Sequence, residues 1–205
     1  MIKAIIFDLD GVLADTEQMH IDAFNEAARR ILPVHLHELV DNIFHDGRTT
    51  KQKLECLSSV GNIDAKTIQE IDSLKQSLVI SKLENIKPDA DKIFLLWELS
   101  KQYKLALASN SRKQNVDAVL SSMKIDKFFD VILTSEFISS PKPDPEIFIE
   151  CMKMLGVTPE ETLIFEDSPA GLCAAIASSA RTVRVYDSKE VYLERILNEI
   201  NRAEN

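Results

Sequence analysis

The stretch "IIFDLDGVLADTEQMH", residues 5–20, decides how the chain is read. An apolar run ends in two aspartates, Asp8 and Asp10, with one leucine between them and Gly11 behind. Asp and Gly are ordinary punctuation after a buried strand, which accounts for one acid better than for two. From Asp15 the period changes: Met19, Ala23, Phe24, Ala27 and Ile31 recur at helical spacing, with Asp15 or Thr16 placed as the cap and Pro33 near the stop.

Working outward, residues 34–87 carry apolar positions at Leu54, Leu57, Ile68, Ile71, Leu74 and Leu78 and no convincing strand, which predicts a mostly helical insert. Beyond Pro88 helices and strands alternate. The pattern predicts helices over 93–103, 113–123, 145–155 and 169–178, with strands over 105–108, 131–133, 162–165 and 182–185. A closing amphipathic helix is expected over 188–200. With the first strand at 3–7, this alternation implies right-handed crossovers and an α/β, Rossmann-like parallel sheet with helices on both faces. The boundaries of the insert fall at the crossings near 14–17 and 83–90. Met152, Met154, Leu155 and the Phe94 to Trp97 group read as core.

A chain of 205 residues can bury a sizeable core, and a formal net charge of −9 argues against a nucleic-acid surface. No apolar run is long enough to span a membrane, and the first is too short and too soon followed by acids for a signal peptide. Cys56, Cys151 and Cys173 form no CxxC pair and suit a reducing compartment. The expectation is a cytoplasmic protein, monomeric, without nucleic-acid or membrane partners.

Ligands of parallel sheets bind beyond the carboxyl ends of the strands. Just after the apolar runs stand Asp8-Leu9-Asp10, Ser109-Asn110-Ser111, Ser135-Glu136 and Glu166-Asp167-Ser168. Four carboxylates gathered there repel one another unless a cation or protons relieve them, and oxygen ligands without His or Cys select Mg²⁺. Lys142, set between Pro141 and Pro143, offers an ammonium that can neutralise a nucleophilic aspartate and a phosphoryl oxygen. The residues around Ser109 form an anion-binding corner, although an N-cap explains a Ser or Asn there equally well. His35 and His37, with His45 beyond, lack the Cys or carboxylate partners of a transition-metal site.

Together "DLDGVLADT", "SNS", "PKPDPEIF" and "EDSPAG", in this order, resemble the four signature motifs of the haloacid dehalogenase superfamily. The helical insert with His20 resembles the β-phosphoglucomutase-like branch of phosphatases and phosphohexomutases. The resemblance implies a core of residues 1–15 and 88–205 and a small all-helical cap domain, 16–87, inserted after the first strand. It further implies that Asp8 is the nucleophile that becomes an aspartyl-phosphate and that Asp10 is general acid and then base, its carbonyl binding the metal. Asp167 would ligate Mg²⁺ beside Asp8, with Glu166 in support. Ser109, Asn110 and Lys142 would hold the transferring phosphoryl group, and Thr16, His20 and Arg48 would face the substrate. His20 would couple cap closure to the acid. β-Phosphoglucomutases carry an arginine three residues after a cap-loop glycine; counted from Gly47, that position here is Thr50, and the arginine is Arg48.

The expected activity is a Mg²⁺-dependent phosphatase for a small phosphorylated metabolite such as a sugar phosphate. A phosphohexomutase, which returns the phosphoryl group to a sugar, is the alternative. A phospho-acceptor receiver domain would carry no helical insert after its first strand and need no acid two residues past the nucleophile. A non-catalytic phosphate-binding module would leave Asp8, Asp10, Lys142 and Asp167 without a purpose.

Overall fold

Five short segments, four of them largely apolar, form one parallel sheet in the order β3-β2-β1-β4-β5 in this computed structural model, which describes residues 1–41 and 50–204. The strands are β1 (Ala4–Phe7), β2 (Lys104–Ser109), β3 (Val131–Thr134), β4 (Thr162–Glu166) and β5 (Arg181–Arg184). β1 is central, with Phe7 paired to Leu107 of β2 and to Phe165 of β4. That register brings Asp8, Ser109 and Glu166 to one edge, because each is the last residue of its strand or the first after it. The chain moves from β1 to β2 and β3 on one side and crosses back to β4 on the other. The carboxyl end of β1 is therefore the switch point where such sheets bind ligands.

The helices are α1 (Glu17–Ile31), α2 (His37–Asp41), α3 (Thr50–Gly61), α4 (Ala65–Leu83), α5 (Ala90–Ser100), α6 (Lys113–Met123), α7 (Glu146–Leu155), α8 (Pro169–Ala177) and α9 (Leu193–Glu204). Local chemistry sets several of their ends. Asp64 caps α4 by accepting from the Thr67 amide at 2.9 Å, Ser168 caps α8 with Pro169 at its first position, and Gly156 ends α7 in the left-handed conformation at φ 67°. Two apolar clusters cover the two faces of the sheet, one through Phe7 and Phe165 and the other through Ile6 and Ile164. Strands buried on both faces read as continuous apolar runs, which is why they are legible in the sequence. A third cluster, built on Phe24, Leu57 and Ile71, lies within α1–α4 and gives the helical cap a core of its own. No helix among the described residues is long and apolar enough to cross a membrane.

Two expectations are corrected. The closing helix does not begin at 188: residues 188–190 form a single 3₁₀ turn and α9 starts at Leu193. Lys92 of α5 donates to the carbonyls of Ser188 at 2.5 Å and Val191 at 2.6 Å, which ties the segment ahead of α9 to α5. Phe94, Trp97 and Met154 are not core, being 52%, 47% and 63% exposed. The buried stripe of α5 runs through Lys92, Leu95, Leu96 and Leu99 instead.

Candidate active site

Asp8 leaves β1 almost completely buried, and its Oδ1 accepts from Lys142 Nζ at 2.6 Å. Lys142 is 2% exposed and also donates to Glu166 Oε2 at 2.5 Å and to the Ala108 carbonyl at 2.9 Å. All three ammonium protons are thus directed, one to each neighbouring strand end. Burial pushes Lys142 toward its neutral form, but Asp8 and Glu166 outweigh it and hold the ammonium protonated beyond the usual lysine range. Burial and then the charge of Glu166 push the Asp8 carboxyl well above its ordinary value against the pull of Lys142. Burial and Glu166 likewise raise Asp167 to about 7.

Asp8, Glu166 and Asp167 each offer an oxygen, and these lie within 4.8 Å of one another. Asp167 Oδ1 is buried and has no hydrogen-bond partner among the described residues. Excess negative charge, oxygen-only donors and an orphaned acceptor fit a hard divalent cation. Within the cluster the three acids differ. Glu166 Oε1 accepts from the Asp167 amide at 3.0 Å and from the Ser168 amide and hydroxyl at 3.1 Å, while Oε2 takes Lys142, so Glu166 already ties β4 to α8 and to the lysine.

Two glycines make room for these acids. Gly11 has φ +86°, and a Cβ there would lie 2.0 Å from Asp167 Oδ2; a Cβ on Gly171 would lie 1.9 Å from Glu166 Oε2. Gly171→Ala therefore forces Glu166 off Lys142. The expected outcome is a loss of stability of about 2–4 kcal/mol with reduced turnover, measured by denaturant unfolding and by initial rates.

Asp10 is held differently. Its Oδ1 accepts from Thr16, its Oδ2 accepts from Ser111 Oγ at 2.8 Å, and His20 Nε2 stands 3.4 Å from Oδ1. Burial pushes this carboxyl up, but the neighbouring His20 ring and the hydrogen bonds from Thr16 and Ser111 outweigh it and hold the group below the usual carboxylate range. Thr16 stands at the N-cap of α1, yet its hydroxyl serves Asp10 and not the helix end. Ser109 Oγ accepts from the Ser111 amide at 3.0 Å, which shapes the loop that delivers Ser111 to Asp10. Asn110 clamps the lysine loop: its Oδ1 accepts from the Lys142 amide at 3.0 Å and its Nδ2 donates to the Lys142 carbonyl at 3.2 Å.

From the cap, His20 and Lys75 enter the same cavity, about 570 Å³ in volume, that Asp8, Ser109 and Lys142 line from the core. Lys75 Nζ lies 3.3 Å from His20 Nδ1 and donates to Thr50 Oγ1 at 3.1 Å. An ammonium has only donors, so His20 Nδ1 is the acceptor and the Nε2 proton faces Asp10. Arg48 lies outside the described residues; Thr50, at the start of α3, is on the cavity wall.

Lys75 is the site residue the motifs do not announce. Its signal is a lysine in the buried stripe of α4, spaced i, i+4, i+8 with Ile71 and Val79. Burial lowers its pKa to about 8, against the upward pull of Asp10 and Asp72. It is charged below that value and neutral above it. KM for an anionic substrate is expected to rise as pH passes through about 8, with kcat less affected, and a Lys75→Met variant should show a high KM without that step.

Residues 5–185 match the family model for haloacid dehalogenase-like hydrolases. A phosphorylated carbohydrates phosphatase of Thermotoga maritima is 31% identical over 189 residues, covering 90% of this chain and 84% of that protein. A β-phosphoglucomutase of Bacillus subtilis is 32% identical over 182 residues, covering 84% of this chain and 78% of that one. Among solved structures, a β-phosphoglucomutase of Clostridium difficile superposes with a TM-score of 0.79 at 25% identity, covering 98% of both chains. With nearly the whole chain matched in sequence and in fold, the protein belongs to the haloacid dehalogenase-like hydrolases, in their phosphatase and phosphohexomutase branch.

Proposed function

We propose that the protein is a Mg²⁺-dependent phosphatase that hydrolyses a small sugar phosphate through an aspartyl-phosphate on Asp8. The observation that carries this reading is the pairing of Asp8 with Lys142 at 2.6 Å, two residues before an Asp10 held by Thr16, Ser111 and His20. Lys142 fixes Oδ1 of Asp8, which leaves Oδ2 to attack phosphorus. The ester P–O bond breaks, and the leaving alkoxide takes a proton from Asp10. In the second half Asp10 accepts a proton from water, whose oxygen attacks phosphorus and releases Asp8 and inorganic phosphate.

Asp10 accepts hydrogen bonds at both oxygens, an arrangement that suits the base half. For the acid half, opening of the cap would carry Thr16 and His20 away and raise the proton affinity of Asp10. Asp8, Asp167 and the Asp10 carbonyl would hold Mg²⁺, which neutralises carboxylate and phosphoryl charge when bound. Residues 16–87 act as the mobile cap and residues 1–15 and 88–205 as the core, so that closure excludes bulk water from the phosphoenzyme.

The sugar-phosphate class is supported by the phosphatase relative and by the Lys75, His20 and Thr50 wall, which offers a cation and hydrogen-bonding groups to hydroxyls. The phosphohexomutase reading is favoured by the mutase likeness and disfavoured by Thr50 standing where those enzymes carry arginine. Product analysis separates the two. With a panel of sugar phosphates, stoichiometric release of inorganic phosphate is expected, abolished by EDTA and restored by Mg²⁺. Conversion of a sugar 1-phosphate into its 6-phosphate without phosphate release would replace hydrolysis with mutase activity.

A further inference from the structure

The face of α4 that meets α6 changes character along its length. At the end near the return to the core, Val79 and Leu83 belong to the same apolar cluster as Val116, Val119 and Leu120. One and two turns earlier, at the cavity end, the facing groups are polar. Gln76 Nε2 donates to Asn115 Oδ1 at 2.7 Å, and Asp72 Oδ2 accepts from Arg112 Nη2. Asp72 and Gln76 are i and i+4 on α4, while Arg112 and Asn115 stand at the start of α6, so both bonds join cap to core side by side.

We propose that these four residues form a latch between cap and core, with the apolar end of the seam as its pivot, and that Asp72 and Gln76 are positioning residues that set the fraction of molecules with the cap shut. Two observations make this seam separable and not a permanent interface. Asp72 Oδ1 and Gln76 Oε1 are both buried and have no hydrogen-bond partner among the described residues. Closing the seam therefore gains an ion pair and an amide bond while two acceptors lose water, so the opposing contributions nearly balance. An apolar seam would carry no such opposing cost.

The ends of the latch also differ in their relation to the cavity. Arg112 and Asn115 lie on its wall, whereas Asp72 and Gln76 reach them from behind. An anionic substrate drawn toward Arg112 competes with Asp72 for the guanidinium, so substrate entry and cap opening are coupled through one side chain. This inference rests on the phosphatase reading only for its effect on turnover; the latch itself is a structural claim.

The test follows hydrogen exchange by mass spectrometry on the full chain without ligand, comparing wild type with Asp72→Asn and Gln76→Leu. Exchange around Asp72 and Gln76 of α4 and over the first half of α6 is expected to rise about fivefold in each variant, with β1 and β4 unchanged. Wild type in about 0.5 M NaCl should show the same rise without any substitution, because the ion pair is partly exposed and screened. The charge-swapped pair Asp72→Arg with Arg112→Asp should restore protection, which a merely structural loss would not.

With p-nitrophenyl phosphate and Mg²⁺, kcat/KM is expected to fall about fivefold in Asp72→Asn, chiefly through KM. Unchanged exchange in both variants and in salt overturns the latch, whatever the rates do. Altered exchange with no phosphate release from any form of the protein leaves the latch standing and overturns the phosphatase reading.

Discussion

Asp8→Asn is expected to abolish phosphate release while leaving the fold intact. The carboxamide fills the same volume beside Lys142, so the packing at the end of β1 is kept, but it cannot attack phosphorus and give a stable acyl phosphate. A loss of at least about 10⁴ in kcat is expected, the scale seen when a covalent nucleophile is removed. The measurement is single-turnover phosphate release alongside thermal unfolding. Turnover within tenfold of wild type would remove the aspartyl-phosphate from the mechanism. Because burial and neighbouring acids already disfavour the Asp8 charge, the asparagine variant is expected to be at least as stable as wild type in the absence of metal.

Lys142→Met is expected to lose stability as well as turnover. It keeps the length and apolar stem of the side chain but takes the ammonium away from Asp8, Glu166 and the Ala108 carbonyl together. Two buried carboxylates are then left without their cation, which costs about 3–5 kcal/mol by comparison with other broken buried pairs, and turnover is lost as well. Chemical denaturation gives the stability change, and phosphate release gives the activity. Adding Glu166→Gln to Lys142→Met removes one of the stranded charges and should recover part of the stability and none of the turnover. A single variant as stable as wild type would mean that Lys142 does not hold this edge together. These two variants separate chemistry from architecture at one contact of 2.6 Å.

The strands were legible because a sheet buried on both faces leaves continuous apolar runs, and Phe7, Leu107 and Phe165 come from such runs. The start of α9 was not, since the signal lies in Lys92 reaching across nearly a hundred residues to the Ser188 carbonyl. Phe94 and Trp97 misled for a related reason: composition marks them as core, but the helix rotates them to the outside, where Lys101 lies over the Trp97 ring at 3.3 Å.

By itself the sequence determined the parallel sheet, the place of the helical insert and the acids at the ends of β1 and β4, because these depend on local periodicity and on residue types next to one another. Only the tertiary structure decided what each group at that edge touches. Asn110 faces the Lys142 backbone, Thr16 faces Asp10, Glu166 grips the lysine, and Lys75 comes down from α4 to orient His20. The physical reason is that charge, burial and hydrogen bonding act over a few ångströms in space, between residues that can be 134 positions apart in the chain, as Asp8 and Lys142 are.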